Sequence, residues 1–229
     1  MNPQITRILQ YLEEVGVERA RRLADPDLSA RVREVKRYQH QRFQRTYADL
    51  LASDRYARAA QFFLDDLYGP EDFTRRDEQF ARVVPGLVHF FPNEIVGTVM
   101  ALGELHALSE QFDTAMGAVI GAPSIDDAQY AVAWRTVGRP ADRERQIALM
   151  MAVGSALDRY TRNPVLRTSL RLMRVPAAAA GLGVLQAFLE RGFDTFRDMR
   201  GAREFLDTVA ARERELAARL FAGGTAGTT

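Results

Sequence analysis

The chain has 229 residues, 47% hydrophobic and 27% charged, which is ordinary globular composition and length enough for one large domain. A formal net charge of +1 excludes a global field that would draw the protein to nucleic acid or an anionic membrane. With no cysteine, disulfides, thiolate metal sites and a cysteine nucleophile are excluded too.

Ile5 to Leu23 carries Ile5, Ile8, Leu9, Leu12 and Val15 at helical spacing and is predicted as the first helix. Arg7, Glu13 and Glu14 stand where an export signal needs an apolar core, so a cytoplasmic protein is expected. Asp25-Pro26-Asp27 breaks this helix. A long second helix follows from Leu28 to Ala52, with Leu28, Val32, Val35, Phe43, Tyr47 and Leu50 on one stripe. Its cations include Lys36, the chain's single lysine, with Arg31, Arg33, Arg37, Arg42 and Arg45, against Glu34 alone. They spread around the wheel instead of forming one stripe, so the expectation is ion pairing with acids elsewhere, Asp65 and Asp66 among them, and no nucleic-acid partner.

Asp54 to Tyr68 is the third predicted helix and leads into the densest mixture of aromatic and charged residues, Ala60 to Phe80. Gly69 suits a left-handed helix end and Pro70 cannot continue a helix. Thr74-Arg75-Arg76-Asp77 fits a capping box that opens the next helix, with Asp in place of Glu. Asp65, Asp66, Asp72 and Asp77, with Arg75 and Arg76, are therefore candidate ligand-binding or ion-pairing groups at a tight corner between two helices. Their spacing matches no calcium loop, and no metal is expected.

FFLDDLYGPEDFTRRDEQFARVVP, with AVAWRTVGRPADRERQIALM and AAAAGLGVLQAFLERGF further on, resembles the hallmark segments of a family of uncharacterised, all-helical bacterial proteins. The likeness covers roughly Arg31 to Phe221. It implies an all-α fold. It supplies no activity and no catalytic residue to carry over.

Thr74 to Phe91 continues as a helix that Pro85 should kink or divide. Asn93 to Ile120 is a long central helix on which Ile95, Val99, Leu102, His106 and Asp113 fall within a narrow arc, so His106 points to the core. A core-facing histidine late on a helix resembles the proximal region of a globin, and haem held by His106 is the one cofactor alternative; otherwise no cofactor is predicted. After Gly121-Ala122-Pro123, Ser124 with Asp127 offers a second capping box. A second charged corner, with Arg139, Asp142 and Arg143, opens the helix that begins at Pro140 and is expected to pack near the first corner and share ion pairs with it. Asn163-Pro164 divides that helix from a short one, Val165 to Met173; Pro176 then precedes Ala177 to Met199, and Ala202 to Phe221 is the last.

The sequence thus predicts one all-α domain over 1–222, about nine or ten helices with bundle-like, orthogonal packing, and a flexible tail from 223 to 229. The three histidines have no serine in a nucleophile elbow, and no stretch has the ~18 apolar residues of a membrane span. The expected role is non-enzymatic: a helical protein that binds a partner protein or a small molecule. An enzyme using the acidic corner from Asp65 to Asp77 is the further alternative, and the apolar residues of the last two helices suit either a core or a homodimer seam.

Overall fold

Twelve α segments follow one another in the computed structural model, which describes residues 3–67, 73–121 and 124–227; no strand occurs among these residues. They are α1 (Pro3–Leu23), α2 (Pro26–Thr46), α3 (Ala48–Leu51), α4 (Ala57–Phe62), α5 (Thr74–Phe90), α6 (Asn93–Val119), α7 (Asp127–Val137), α8 (Pro140–Thr161), α9 (Pro164–Leu172), α10 (Arg174–Ala179), α11 (Gly183–Asp198) and α12 (Arg203–Phe221). The fold is all-α and forms one domain. More segments occur than the periodicity predicts because two expected helices are split. The second ends at Thr46, where Tyr47 leaves helical geometry while its hydroxyl donates to Glu213 Oε1 at 2.7 Å. The one expected over Ala177 to Met199 breaks at Gly181-Leu182 into α10 and α11. Pro85, by contrast, sits inside α5 without dividing it.

The last turn of the helix begun by α4 widens into a π turn, Phe63–Leu67. Phe62, Phe63 and Leu64 are consecutive and all buried, more than one stripe of a regular helix can hide. Phe62 stacks on Phe188 of α11, and Phe63 meets Phe205 of α12 edge-on at 5.2 Å. Tyr68 to Asp72, and with them the glycine-proline break and the candidate Asp72, lie outside the described residues.

Helix α6 is the axis of the fold. It packs against α1, α2, α7 and α8, and its buried residues, among them Val96, Ala107, Glu110, Phe112, Asp113 and Met116, point in several directions instead of one. The apolar arc expected from Ile95 to Asp113 is therefore only partly the buried side: Ile95, Val99 and Leu102 are half-buried. Where α2 crosses α6, Gly117 lets the backbones meet. A Cβ at this position would sit 2.5 Å from Val32 Cγ2 and 3.2 Å from the Val32 backbone nitrogen. Arg31 Nε spans the same crossing to the Gly117 carbonyl at 2.9 Å.

Helix α7 starts on a capping box made by Asp126 and Gln129, two residues beyond the Ser124–Asp127 box expected from the sequence. Asp127 is thereby free to accept from the Tyr38 hydroxyl and from Arg45 of α2. Past α12, residues read as tail fold back on α7: Arg135 Nη1 donates to the Gly224 carbonyl, and Ala226 is buried beside Trp134.

Because the atoms against Gly117 are backbone as well as a methyl group, Gly117→Ala is expected to cost about 1–3 kcal/mol in overpacking. A urea melt read by circular dichroism checks this, and an unchanged midpoint would contradict the close crossing.

Candidate functional site

Helical spacing brings polar side chains from several helices to one interior space. On α2, Lys36, Gln39 and Arg42 recur every three residues; on α6, His106, Glu110 and Asp113 recur every three or four. Arg143 and Gln146 face them from α8, Tyr130 and Trp134 from α7, and Glu213 from α12. Together with apolar side chains that include Phe63, Leu105 and Phe188 they line a cavity of about 200 Å³.

One end of the cavity is a charge network. Asp77 Oδ2 accepts from Arg19 Nη2 at 2.6 Å and from His106 Nε2 at 2.8 Å, and Oδ1 lies 3.3 Å from Arg76 Nε. Glu110 takes Arg22 Nη2 at 2.5 Å and Lys36 Nζ at 3.1 Å. Burial alone would raise the Asp77 carboxyl, but the His106 hydrogen bond and the charges of His106, Arg76 and Arg19 outweigh it and hold the group down to about 2. Glu110 is likewise held down to about 2, its burial outweighed by Lys36 and Arg22. An ionised Asp77 can only accept, so His106 Nε2 carries the proton in this pair. The haem alternative needs that same nitrogen, the one remote from the backbone, and Asp77 already holds it.

Asp113 behaves oppositely. It is 8% exposed, receives Gln39 Nε2 at 3.1 Å and has Lys36 Nζ no nearer than 3.6 Å. Burial pushes its carboxyl up, and neighbouring Glu110 adds to that.

The other end is built around two arginines. Arg42, 4% exposed, meets Glu213 with Nη1 at 2.9 Å and Nη2 at 3.2 Å. Arg143, 5% exposed, lies between two aromatic rings, its guanidinium carbon 3.5 Å from the Phe112 centroid and 3.8 Å from that of Trp134. Burial pushes Arg143 down to about 10, so it is still a cation at neutral pH. Among the described residues, Arg143 Nε and Nη2, Trp134 Nε1 and Arg42 Nε are buried donors without an acceptor. The other cations lining the cavity have carboxylates: Lys36 has Glu110 and Asp113, Arg42 has Glu213, Arg76 has Asp77. The helix that carries Arg143 opens on a left-handed corner, where Gly138 adopts φ 65 without strain and Arg139 is held at φ 60, a region costly for a residue with a Cβ.

The structure thus brings together part of what the sequence singles out. Asp66, Arg76, Asp77, His106 and Arg143 line the one cavity. Asp65 and Arg75 are exposed, and Asp65 accepts from Gln61. Asp66 pairs with Arg191 of α11 at 2.5 Å, not with Arg75, while Arg76 Nη1 donates to the Asp66 carbonyl. Arg139 pairs with Asp142 on the surface at 2.7 Å and covers Phe112 from outside. The two charged corners share the cavity, yet among the described residues no ion pair joins them. Of the α2 cations, Lys36, Arg42 and Arg45 find acids elsewhere, on α6, α12 and α7, whereas Arg37 pairs with Glu34 of α2 itself and Arg31 donates to the Gly117 carbonyl. Lys36, Gln39, Arg42, Glu110, Trp134 and Glu213 were missed. Asp113 was visible as an acid on the predicted apolar arc of α6, and that signal pointed to the site.

The family model described as a domain of unknown function, DUF8198, matches residues 18–227. The chain belongs to that family. Among curated proteins and solved structures no significant match to this DUF8198 chain occurs. Among its described residues no group of three or more histidine, aspartate or glutamate side chains could hold a metal ion, and no helix is long and apolar enough to cross a membrane.

Depressed carboxyl pKa values stabilise the fold above their unfolded values and lose that contribution as pH falls through the folded ones. For Asp77 and Glu110 the window runs from about pH 4.5 to about 2. Asp77→Asn and Glu110→Gln should each cost at least about 2 kcal/mol at pH 7, and the gap to the parent should close toward pH 2. Asp113, raised in the fold, stabilises only below its unfolded value, so Asp113→Asn should leave stability unchanged or higher at pH 8. Urea melts across this pH range check all three; a large loss from Asp113→Asn at pH 8 would contradict the assignment.

Proposed function

We propose that this DUF8198 protein is a non-enzymatic carrier or sensor that binds a small molecule inside the helical bundle. One observation carries the reading: Arg143 is a buried cation on a cavity wall, packed against Phe112 and Trp134, with two nitrogens for which the described residues offer no acceptor. An unsatisfied buried donor costs about 1–3 kcal/mol, and more when charged. A fold that needed only stability would place an apolar side chain there, since buried charge seldom stabilises relative to a well-packed hydrophobe. Strain at Arg139, one turn before Arg143, fits an investment in the site. The cavity holds about seven waters' worth of liquid volume, which suits a ligand smaller than a drug.

A second reading is favoured by the hydrogen bond of His106 to Asp77 on the cavity wall: an imidazole oriented by a carboxylate is equipped to move a proton. In that case the acidic corner takes part in chemistry through Asp77, and the bound molecule would be a substrate.

The test is a thermal-shift and native mass-spectrometry screen against small acids, amines, sugars and nucleosides. A true ligand at about 100 times its Kd adds about 2.7 kcal/mol, a Tm rise of about 5–10 °C for a chain of this size. Ala217→Leu, which fills the cavity, should keep or raise the ligand-free Tm and abolish the rise. Silence of the whole screen on both proteins would reject the carrier. Recovery of a chemically altered ligand, with Asp77→Asn stopping the change, would replace it with the enzyme.

A further inference from the structure

We propose that the ligand is a small organic carboxylate, gripped side-on by Nε–H and Nη2–H of Arg143, with the Trp134 indole N–H as a neighbouring donor; this rests on the cavity being a ligand site. The two unaccepted nitrogens of Arg143 are not an arbitrary pair. They form one edge of the guanidinium, and this chain uses that edge repeatedly for carboxylates. Arg145 holds Glu104 with Nε and Nη2, both at 2.7 Å; Arg174 holds Glu190 with the same two atoms at 3.1 and 2.5 Å; Arg191 holds Asp66 with them at 3.4 and 2.5 Å. Arg143 lines the cavity and carries the same fork with no acceptor among the described residues, and such forks match a planar carboxylate.

Three features narrow the class. The buried groups without partners on this wall are all donors: Arg143 Nε and Nη2, Trp134 Nε1 and Arg42 Nε. They call for an acceptor-rich ligand. The charge count calls for an anion, because every other cation lining the cavity has its own carboxylate while Arg143 has none among the described residues. Asp113, the acid whose charge reaches Arg143, is occupied by Gln39 and Lys36 and is itself pushed toward its neutral form by burial. The slot also has a shape. With Phe112 on one face of the guanidinium and Trp134 on the other, an anion in the guanidinium plane lies between two aromatic rings. Ring faces are electron-rich, so a tetrahedral phosphate or sulfonate would turn oxygens onto them, whereas a flat carboxylate would not. Beyond the fork the wall turns apolar at Leu105, Ile147 and Met150, which suits a short aliphatic or aryl body.

The experiment is titration calorimetry of the full chain with carboxylates from propionate to 3-phenylpropionate, each beside its primary amide, and with inorganic phosphate. At least one acid should bind, at least about thirtyfold more tightly than its amide, as expected when a charged hydrogen-bonding partner is lost. Arg143→Gln should remove that preference. Arg143→Lys, which keeps the charge and loses the fork, should weaken the acid about tenfold and narrow its margin over phosphate. Trp134→Phe, which keeps the ring and loses the N–H, should weaken it about three- to tenfold. Far-UV circular dichroism of each variant identifies the folded ones, and Trp134→Phe decides if both Arg143 variants unfold. An amide binding as well as its acid, or phosphate binding through Arg143 in preference to every carboxylate, would overturn the carboxylate class and leave the small-ligand reading intact. If no acid, amide or phosphate binds and the purified protein releases no small molecule on denaturation, both fall.

Discussion

The constraint on which this structure turns is the neutralisation of charge inside a helical bundle. Helix α6 carries Glu110 and Asp113 into the interior, both under a tenth exposed. An isolated carboxylate there would cost several kcal/mol even after the surroundings relax. The helices around α6 are therefore not free to present any apolar face. Helix α1 must bring Arg19 and Arg22, and α2 must bring Lys36. This accounts for a second helix so rich in cations in a chain with almost no net charge.

The same constraint divides the interior into two halves of different character. Around Asp77 and Glu110, opposite charges are matched at hydrogen-bonding distance and both carboxylates are held in their charged form. Around Arg143 the match stops. The guanidinium is stabilised by two ring faces, which favour the cation without using its N–H groups. Aromatic contact and missing acceptors together leave unused hydrogen-bonding capacity on a residue of the cavity wall. Among the cations lining the cavity, Arg143 departs from the pairing that Lys36, Arg42 and Arg76 show, and the departure is where a ligand is sought.

Much of the fold was legible from periodicity. The stripes on α1, α2 and α12 predict their burial, and Ile8, Val35, Phe205, Val209 and Leu220 are all core residues. Helix ends were legible where proline or a capping residue stood, as at Asn163-Pro164 and Arg139-Pro140. Less legible were the break at Tyr47, set by a hydroxyl reaching Glu213 on a helix 166 residues away, and the π turn, set by aromatic packing against α11 and α12. Local propensity has no access to either cause. The candidate site was half legible. The corners holding Asp66, Arg76, Asp77 and Arg143 stood out by composition, but partners for the acidic corner were expected on α2 and at the second corner, while its Asp66 turned to Arg191 and its Asp77 to Arg19 and His106.

Residue order alone determined that this chain is helical, where most helices begin and end, and which faces are apolar, because these depend on neighbours within a few positions. Tertiary packing decided which charges meet. Lys36 and Glu110 are 74 residues apart and Arg42 and Glu213 are 171 apart, and pairs at such separations exist only once helices cross at a particular place and angle. The isolation of Arg143 is of the same kind, since only the assembled bundle could leave an arginine against aromatic rings with no salt-bridge partner among the described residues.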